Sequence, residues 1–347
     1  MYIIHGFMKK RKYFRALKTG PDDAGRRLDR VLRKALPDHP LSLIHRLLRQ
    51  GKVRLNGNPA SPADRVPLGA VIQVVIREGS GEWGVGNGER DSNYQNITRE
   101  QNRSSNNNPY SLLPTPHSLI LWRGAGIIVF NKPPGLATHG EDSLDTLVNA
   151  WLGDKLPPSL SFKPGPLHRL DKPTSGAVAF SETIEGARLF SRLLREHKAA
   201  KTYLAVVEGR MSGEAVWQDE LARDTNAGKT FAAESPGAKF TAGKHALTAV
   251  KALASDGSHT LIEARIVTGR THQIRAQAAA RGHPLAGDRK YGGHGSGGFF
   301  LHAWKLDLGG YIADFPRPLI APLPSPFQSR ISALFDTNLI PPCEVFF

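Results

Sequence analysis

Residues 245–267 read HALTAVKALASDGSHTLIEARIV. Two strand-like runs, 245–255 and 259–267, follow one another with no helix between them, and apolar residues tend to alternate along both. Parallel strands would need a crossover of a dozen or more residues at that point. Working outward, TYLAVVEG (202–209), AVAF (177–180) and the run IIVFNKPPGLATH (127–139), a strand into a Pro-Gly turn, add further strands. Helical periodicity is sparser. IEGARLFSRLLREHK (184–198) turns Leu189, Phe190, Leu193 and Leu194 inward, and THQIRAQAAARG (271–282) runs from Thr271 as N-cap to Gly282 as stop. Strands outnumber helices and are often consecutive. The expected fold is α+β, with a mainly antiparallel mixed sheet flanked by helices.

The first part of the chain has a different character. Of the 347 residues with net charge +15, the first 80 hold 17 Lys/Arg against 6 Asp/Glu, or +11. A small, strongly basic front end suggests a polyanionic partner. RRLDRVLRKAL (26–36) carries Leu28, Val31, Leu32 and Leu36 on one helical face, with its arginines mostly outside that stripe. A second helix runs from Ser42 as N-cap to Gly51, with Leu43, Ile44, Leu47 and Leu48 apolar. KVRLNGN (52–58) reads as a strand entering an Asn-Gly hairpin turn, and PLGAVIQVVI (67–76) as the last strand. Residues 79–117 are rich in Gly, Asn, Ser and Arg and lack apolar periodicity, so they are expected to be a disordered linker. The organisation read from the sequence is a flexible basic N-terminus (1–20), a small basic αα-β domain (21–78), the linker, a larger α+β domain (118–336) and a tail (337–347).

Several classes are excluded or disfavoured. No stretch approaches the roughly 20 apolar residues of a membrane helix, and no basic stretch precedes an apolar signal core. Cys343 is the only cysteine, so there is no intrachain disulfide and no Cys-based zinc site. YGGHGSGG (291–298) lacks the strand–loop–helix context and the Lys-Ser/Thr of a phosphate cradle. These features give a soluble cytoplasmic protein whose basic front end would meet either nucleic acid or an anionic membrane surface.

One acid stands out. In HRLDKPTSG (168–176), Asp171 follows Arg169 and opens a turn. Locally it reads first as a turn-capping Asp; the alternative is a reacting carboxylate, which needs a cation to hold it ionised. TGRTHQIR (268–275) supplies two such cations, Arg270 and Arg275, near a helix start where the macrodipole disfavours positive charge.

Five ordered motifs then carry a resemblance. NKPPGLATH (131–139), HRLDKPTSG (168–176), KTYLAVVEG (201–209), GRTHQIRAQAAARGHPLAGDRKYGG (269–293) and LHAWKLDL (301–308) resemble the RluA family of pseudouridine synthases over roughly residues 118–335. Residues 26–76 resemble the S4 RNA-binding domain. PLSLIHRLLRQGKVRLNGN (40–58) looks closest to the C-type branch, which modifies 23S rRNA. The resemblance implies that Asp171 is the catalyst, that Tyr203 lies against the target base and that Arg275 pairs with the Asp. It further implies that Arg169 fills the space left by the flipped uridine, and that Arg270, His272 and Lys132 contact RNA. Arg27, Arg30, Arg46, Arg49, Lys52 and Arg54 would hold RNA phosphates by shape and charge. The partner so implied is RNA, not DNA or a membrane, for a protein expected to act as a monomer.

The implied reaction isomerises uridine, gaining and losing no atoms, so it calls for no metal and no organic cofactor. A covalent adduct of the Asp and a glycal route both remain open. Two rivals stand beside it: a synthase acting on tRNA, and an RNA-binding or ribosome-assembly protein that keeps the fold without the activity. A glycosidase is disfavoured, since it would want two carboxylates about the sugar.

Overall fold

The structure is a computed structural model that describes residues 12–77, 115–224, 228–232, 243–295 and 297–335. It divides into two compact units. One spans residues up to 115 together with 157–162; the other holds 116–156 and everything from 163 on.

In the first unit, strand β1 (Lys12–Lys18) precedes helices α1 (Leu28–Ala35) and α2 (Leu41–Arg49), then β2 (Val53–Leu55), β3 (Asn58–Pro59) and β4 (Val71–Arg77). The sheet order is β1-β4-β2-β3, antiparallel throughout. The expected helix faces are the buried ones: Leu28, Val31, Leu32 and Leu36, then Ile44, Leu47 and Leu48, close over Ile72 and Val74. Asn56 and Gly57 both take positive φ in the β2–β3 turn, as that turn type requires. Two expectations are corrected. Residues 12–18 are not loose but pair along the whole of β4; residues 1–11 lie outside the described residues. The N-cap of α2 is Pro40, not Ser42, because the Pro40 carbonyl already accepts from Leu43 and Ile44 and Ser42 falls inside the first turn.

Residues 157–162 complete this unit. Asp23 is fully buried, and its carboxylate accepts from Gly20 N (2.9 Å), Leu160 N (2.9 Å), Ser159 Oγ (3.1 Å) and Ser161 Oγ (2.5 Å). Arg26 Nη1 donates to Ser161, and Leu160 packs on the helix core. Four donors satisfy a buried carboxylate that would otherwise be costly to desolvate.

The second unit is built on one large sheet. Its elements are β5 (Ile120–Gly124), β6 (Ile127–Lys132), α3 (Leu144–Leu152), β7 (Gly165–Pro166), β8 (Ser175–Ser181), α4 (Ile184–Arg195) and β9 (Ala200–Glu208). Then come β10 (Glu214–Asp224), β11 (Lys229–Ala232), β12 (Lys244–Ser255), β13 (His259–Ile266), α5 (Gln273–Ala280), β14 (Leu301–Asp307), β15 (Leu319–Ile320) and α6 (Ser325–Leu334). The strand order is β11-β10-β12-β13-β9-β14-β8-β6-β5, with β15 on β14 and β7 on β8. Every pairing is antiparallel except β8 with β14, so the sheet is mixed and mainly antiparallel, as the strand-to-strand sequence implies.

β8 explains its own unbroken apolar run. Val178 and Phe180 face the core that includes Leu144 and Val148 of α3, whereas Ala177 and Ala179 face the core under Phe190 and Leu193 of α4. A strand covered on both faces has no polar side to alternate. The linker expected over 79–117 lies mostly outside the described residues; its end is ordered, with Pro116–Leu119 forming a 3-10 turn. The tail over 337–347, including Cys343, also lies outside them.

Candidate active site

Asp171 is positioned by two turns that brace each other. Its own turn is closed by Thr174 N donating to Asp171 O at 3.0 Å. The NKPPGLATH stretch packs against that turn: Gly135 N bonds Lys172 O at 2.9 Å, and the Thr138 hydroxyl both donates to Leu170 O (2.9 Å) and accepts from Leu170 N (3.1 Å). Lys132 is part of this scaffold. It is 0% exposed, and its Nζ donates to Pro133 O (2.9 Å), Leu136 O (2.7 Å) and Lys172 O (3.3 Å). The expectation that Lys132 contacts RNA is therefore corrected, because all three ammonium hydrogens are spent on carbonyls. Burial pushes this ammonium down to about 7, and the negative charge of Asp171 works against that fall.

The residue that meets Asp171 is Arg275, as expected. Its Nη1 donates to Asp171 Oδ2 at 3.0 Å. The other edge of the guanidinium is taken by Asp288, with Nε to Oδ2 at 2.7 Å and Nη2 to Oδ1 at 2.9 Å. The rings of Tyr291 and Phe299 lie 4.8 and 4.4 Å from the Arg275 guanidinium carbon. Burial works against this charge, yet Asp288 and then Asp171 hold the group above its ordinary value. Arg270, the other candidate, is exposed and gives its Nε to His245 O at 2.9 Å.

His272 approaches the same oxygen of Asp171, with Nε2 at 3.6 Å from Oδ2. No described residue bonds the Asp171 Oδ1. Thr271 is not the N-cap of α5; that position belongs to His272, in the left-handed region at φ 54°.

Asp171 lines an open cleft of about 400 Å³ with Arg169, Thr174, Tyr203, Ile266, Arg270 and Leu301 among its walls. Tyr203 sits on β9, paired to Ala264 on one side and Ala303 on the other, so small side chains flank its ring. Burial, then the Asp171 charge, push its hydroxyl up, which keeps it protonated. Arg169 is exposed at the rim.

Comparison with known proteins fits this arrangement. The family model "RNA pseudouridylate synthase" matches residues 126–280, and the S4 domain model matches 26–72. "Ribosomal large subunit pseudouridine synthase C" of Escherichia coli K12 is 30% identical over 82% of this chain and 85% of its own length. The chain belongs to the RluA family of pseudouridine synthases. Relatives within the family carry both C and D names: "Ribosomal large subunit pseudouridine synthase D" of Neisseria meningitidis is 33% identical over 78% of this chain. This chain spans 64% of that relative's length. The solved structure of "Human RNA Pseudouridylate Synthase Domain Containing 4" superposes with a TM-score of 0.50 at 24% identity, covering 62% of this chain and 93% of that one, a likeness of fold.

On this RluA-family framework the basic residues of the first unit divide into two groups. Arg30, Arg46 and Arg49 are exposed. Arg27 is engaged by Asp29 at 2.8 Å, Lys52 gives its ammonium to Gln50, and Arg54 reaches the Gly57 carbonyl. Asp288 and Tyr291 are the site residues that sequence reasoning missed. Both lie inside the quoted GDRKYGG run, where Asp after Gly looks like another turn residue. The available signal was α5 itself: with Gln273 through Ala278 all buried, an arginine in that helix needs more compensation than one partly exposed Asp can give.

Proposed function

We propose that this protein isomerises uridine to pseudouridine in RNA, with 23S rRNA of the large ribosomal subunit as substrate and Asp171 as the reacting carboxylate. One observation carries the reading: Asp171 stands in the cleft with Oδ2 held at 3.0 Å by Arg275 and Oδ1 bonded by no described residue. The uridine leaves its stack to expose C1′ and C5, at a cost of a few kcal/mol. Tyr203 offers the extruded base an aromatic wall, worth about 1–3 kcal/mol. The N1–C1′ bond breaks, the base turns, and C5 joins C1′; C5 gives up a proton and N1 gains one, so composition is unchanged. No redox partner enters this balance. Arg275 keeps Asp171 ionised by opposite charge. Arg169 at the rim would fill the vacated place in the RNA helix, and Arg30, Arg46 and Arg49 would meet phosphates. A substrate of this kind would put the protein in the cytoplasm.

The test is Asp171→Asn, assayed for RNA binding and for pseudouridine in a 23S rRNA transcript, with mapping of total cellular RNA alongside. Binding should stay near the parent value while turnover falls by roughly 10³-fold or more, since the amide serves neither as nucleophile nor as base. Retained turnover would remove Asp171 from the mechanism. New pseudouridine in tRNA alone would redirect the substrate.

A further inference from the structure

His272 and Tyr291 form a directed chain that ends at Asp171. The Tyr291 oxygen accepts from the Thr230 backbone N–H at 2.8 Å and lies 2.8 Å from His272 Nδ1. The Tyr291 hydroxyl accepts from the Thr230 N–H and keeps its own proton to donate, and His272 Nδ1, at 2.8 Å, is placed to accept it. Burial raises the Tyr291 hydroxyl, so it stays protonated and donates. An imidazole that accepts at Nδ1 carries its hydrogen on Nε2. That Nε2 faces Asp171 Oδ2 at 3.6 Å, beyond hydrogen-bond length but close enough that a small turn of either side chain closes the gap.

Resting on the reading of Asp171 as the reacting carboxylate, we infer that His272 is a positioning residue for it. Tyr291 locks the imidazole with hydrogen on Nε2, and that N–H caps the same oxygen Arg275 holds, leaving the other to meet ribose or base. His272 starts α5 from a left-handed position at φ 54°, which histidine and asparagine adopt more readily than most side chains, so asparagine is the substitution that keeps the backbone while removing the imidazole. Burial lowers the His272 pKa; Asp171 opposes that, while the nearby Arg275 and Lys290 charges add to it and Asp288 offsets them in part. The imidazole is thus neutral at neutral pH, and the inference assigns it a fixed N–H dipole rather than a second cation.

Two substitutions separate this role from a backbone role. In His272→Asn the amide suits the left-handed backbone and can accept from Tyr291, but it is too short to reach Asp171. In His272→Gln it reaches Asp171 at the expense of backbone strain. Single-turnover pseudouridine formation, RNA affinity and melting temperature would be measured for H272N, H272Q, Y291F and D171N. H272N should lose about 10²-fold in rate with RNA affinity within about 2-fold. H272Q should recover most of that loss while melting lower. Y291F frees Nδ1 to take a proton, so its rate should fall about 10-fold and lose further ground, relative to the parent, as pH is lowered. H272N as fast as H272Q, or Y291F matching the parent at every pH, overturns the inference while an inactive D171N leaves the reading of Asp171 standing. Turnover by D171N overturns both.

Discussion

Asp288 carries most of the burden of the buried arginine. It is 2% exposed and holds one edge of a guanidinium, itself 5% exposed, through two hydrogen bonds. Asp288→Asn should therefore destabilise the protein by about 3 kcal/mol, the scale of breaking a buried ion pair, read as a lower urea midpoint at unchanged slope. Turnover should fall with it, because Arg275 loses the grip that aims Nη1 at Asp171. Arg275→Ala should abolish most activity, whereas Arg270→Ala should chiefly weaken RNA binding; the reverse order in a turnover assay would assign the carboxylate to the wrong cation. Once Asp171 is gone, removing Arg275 should cost catalysis nothing further, since groups that act as a unit fail as one. Asp171 and Arg275, 104 residues apart in sequence, were legible as a pair only through the family resemblance, since charge alone left Arg270 and Arg275 both as candidates. Lys132 was misassigned: sequence shows a cation beside a Pro-Gly turn, but not that three carbonyls converge on it.

At the scale of elements, the parallel seam between β8 and β14 holds the Asp171 turn against the rest of the sheet. Gly176 enters that seam at φ 107°, opposite Ala303, and a Cβ there would run into the Ala303 carbonyl oxygen. Gly176→Ala should cost more than about 2 kcal/mol, combining backbone strain with overpacking. A melting temperature within a degree of the parent would mean the strands can part there. His302 lies across the same seam, fully buried, between Ser175 Oγ at 2.8 Å and the Ala321 carbonyl at 3.0 Å. Burial lowers it to about 4. The unfolded chain takes up this proton near 6.5 and the folded one only near 4. Stability is therefore full above about pH 6.5 and lost as pH falls toward 4, by up to about 3 kcal/mol. Urea midpoints at pH 7 and pH 5 would test the sign. Strand order of this kind was not legible. Alternation and the lack of intervening helices disclosed antiparallel neighbours such as β12 and β13, but β8 meets β14 across more than a hundred residues, and no local pattern encodes that. Helix starts were missed for a similar reason: Pro40 and His272 cap through their main chains, which side-chain preferences do not reveal.

For the whole molecule, charge is the quantity that scales. Replacing the exposed Arg30, Arg46 and Arg49 by Gln should weaken RNA binding and flatten the plot of log affinity against log salt, by about 0.7–0.9 for each phosphate left without its arginine. An unchanged slope would mean these arginines do not meet RNA. This is a cleaner experiment than deleting residues 1–78, since the first unit includes 157–162 and deletion would strip Leu160 of its apolar cover. The two-part organisation was legible from the charge difference between front and remainder, but not the return segment, whose residues carry no signal of where they pack. That segment also sets a clock. A chain made from its N-terminus at 5–20 residues per second reaches residue 161 roughly 4–17 s after finishing β4. During that interval the helices and strands of the first unit exist, yet Asp23 lacks three of its four donors. The first unit is expected to mature only when nearly half of the polypeptide has been made, so nascent chains halted before residue 157 should be cut by protease within 20–77 faster than chains halted after 200.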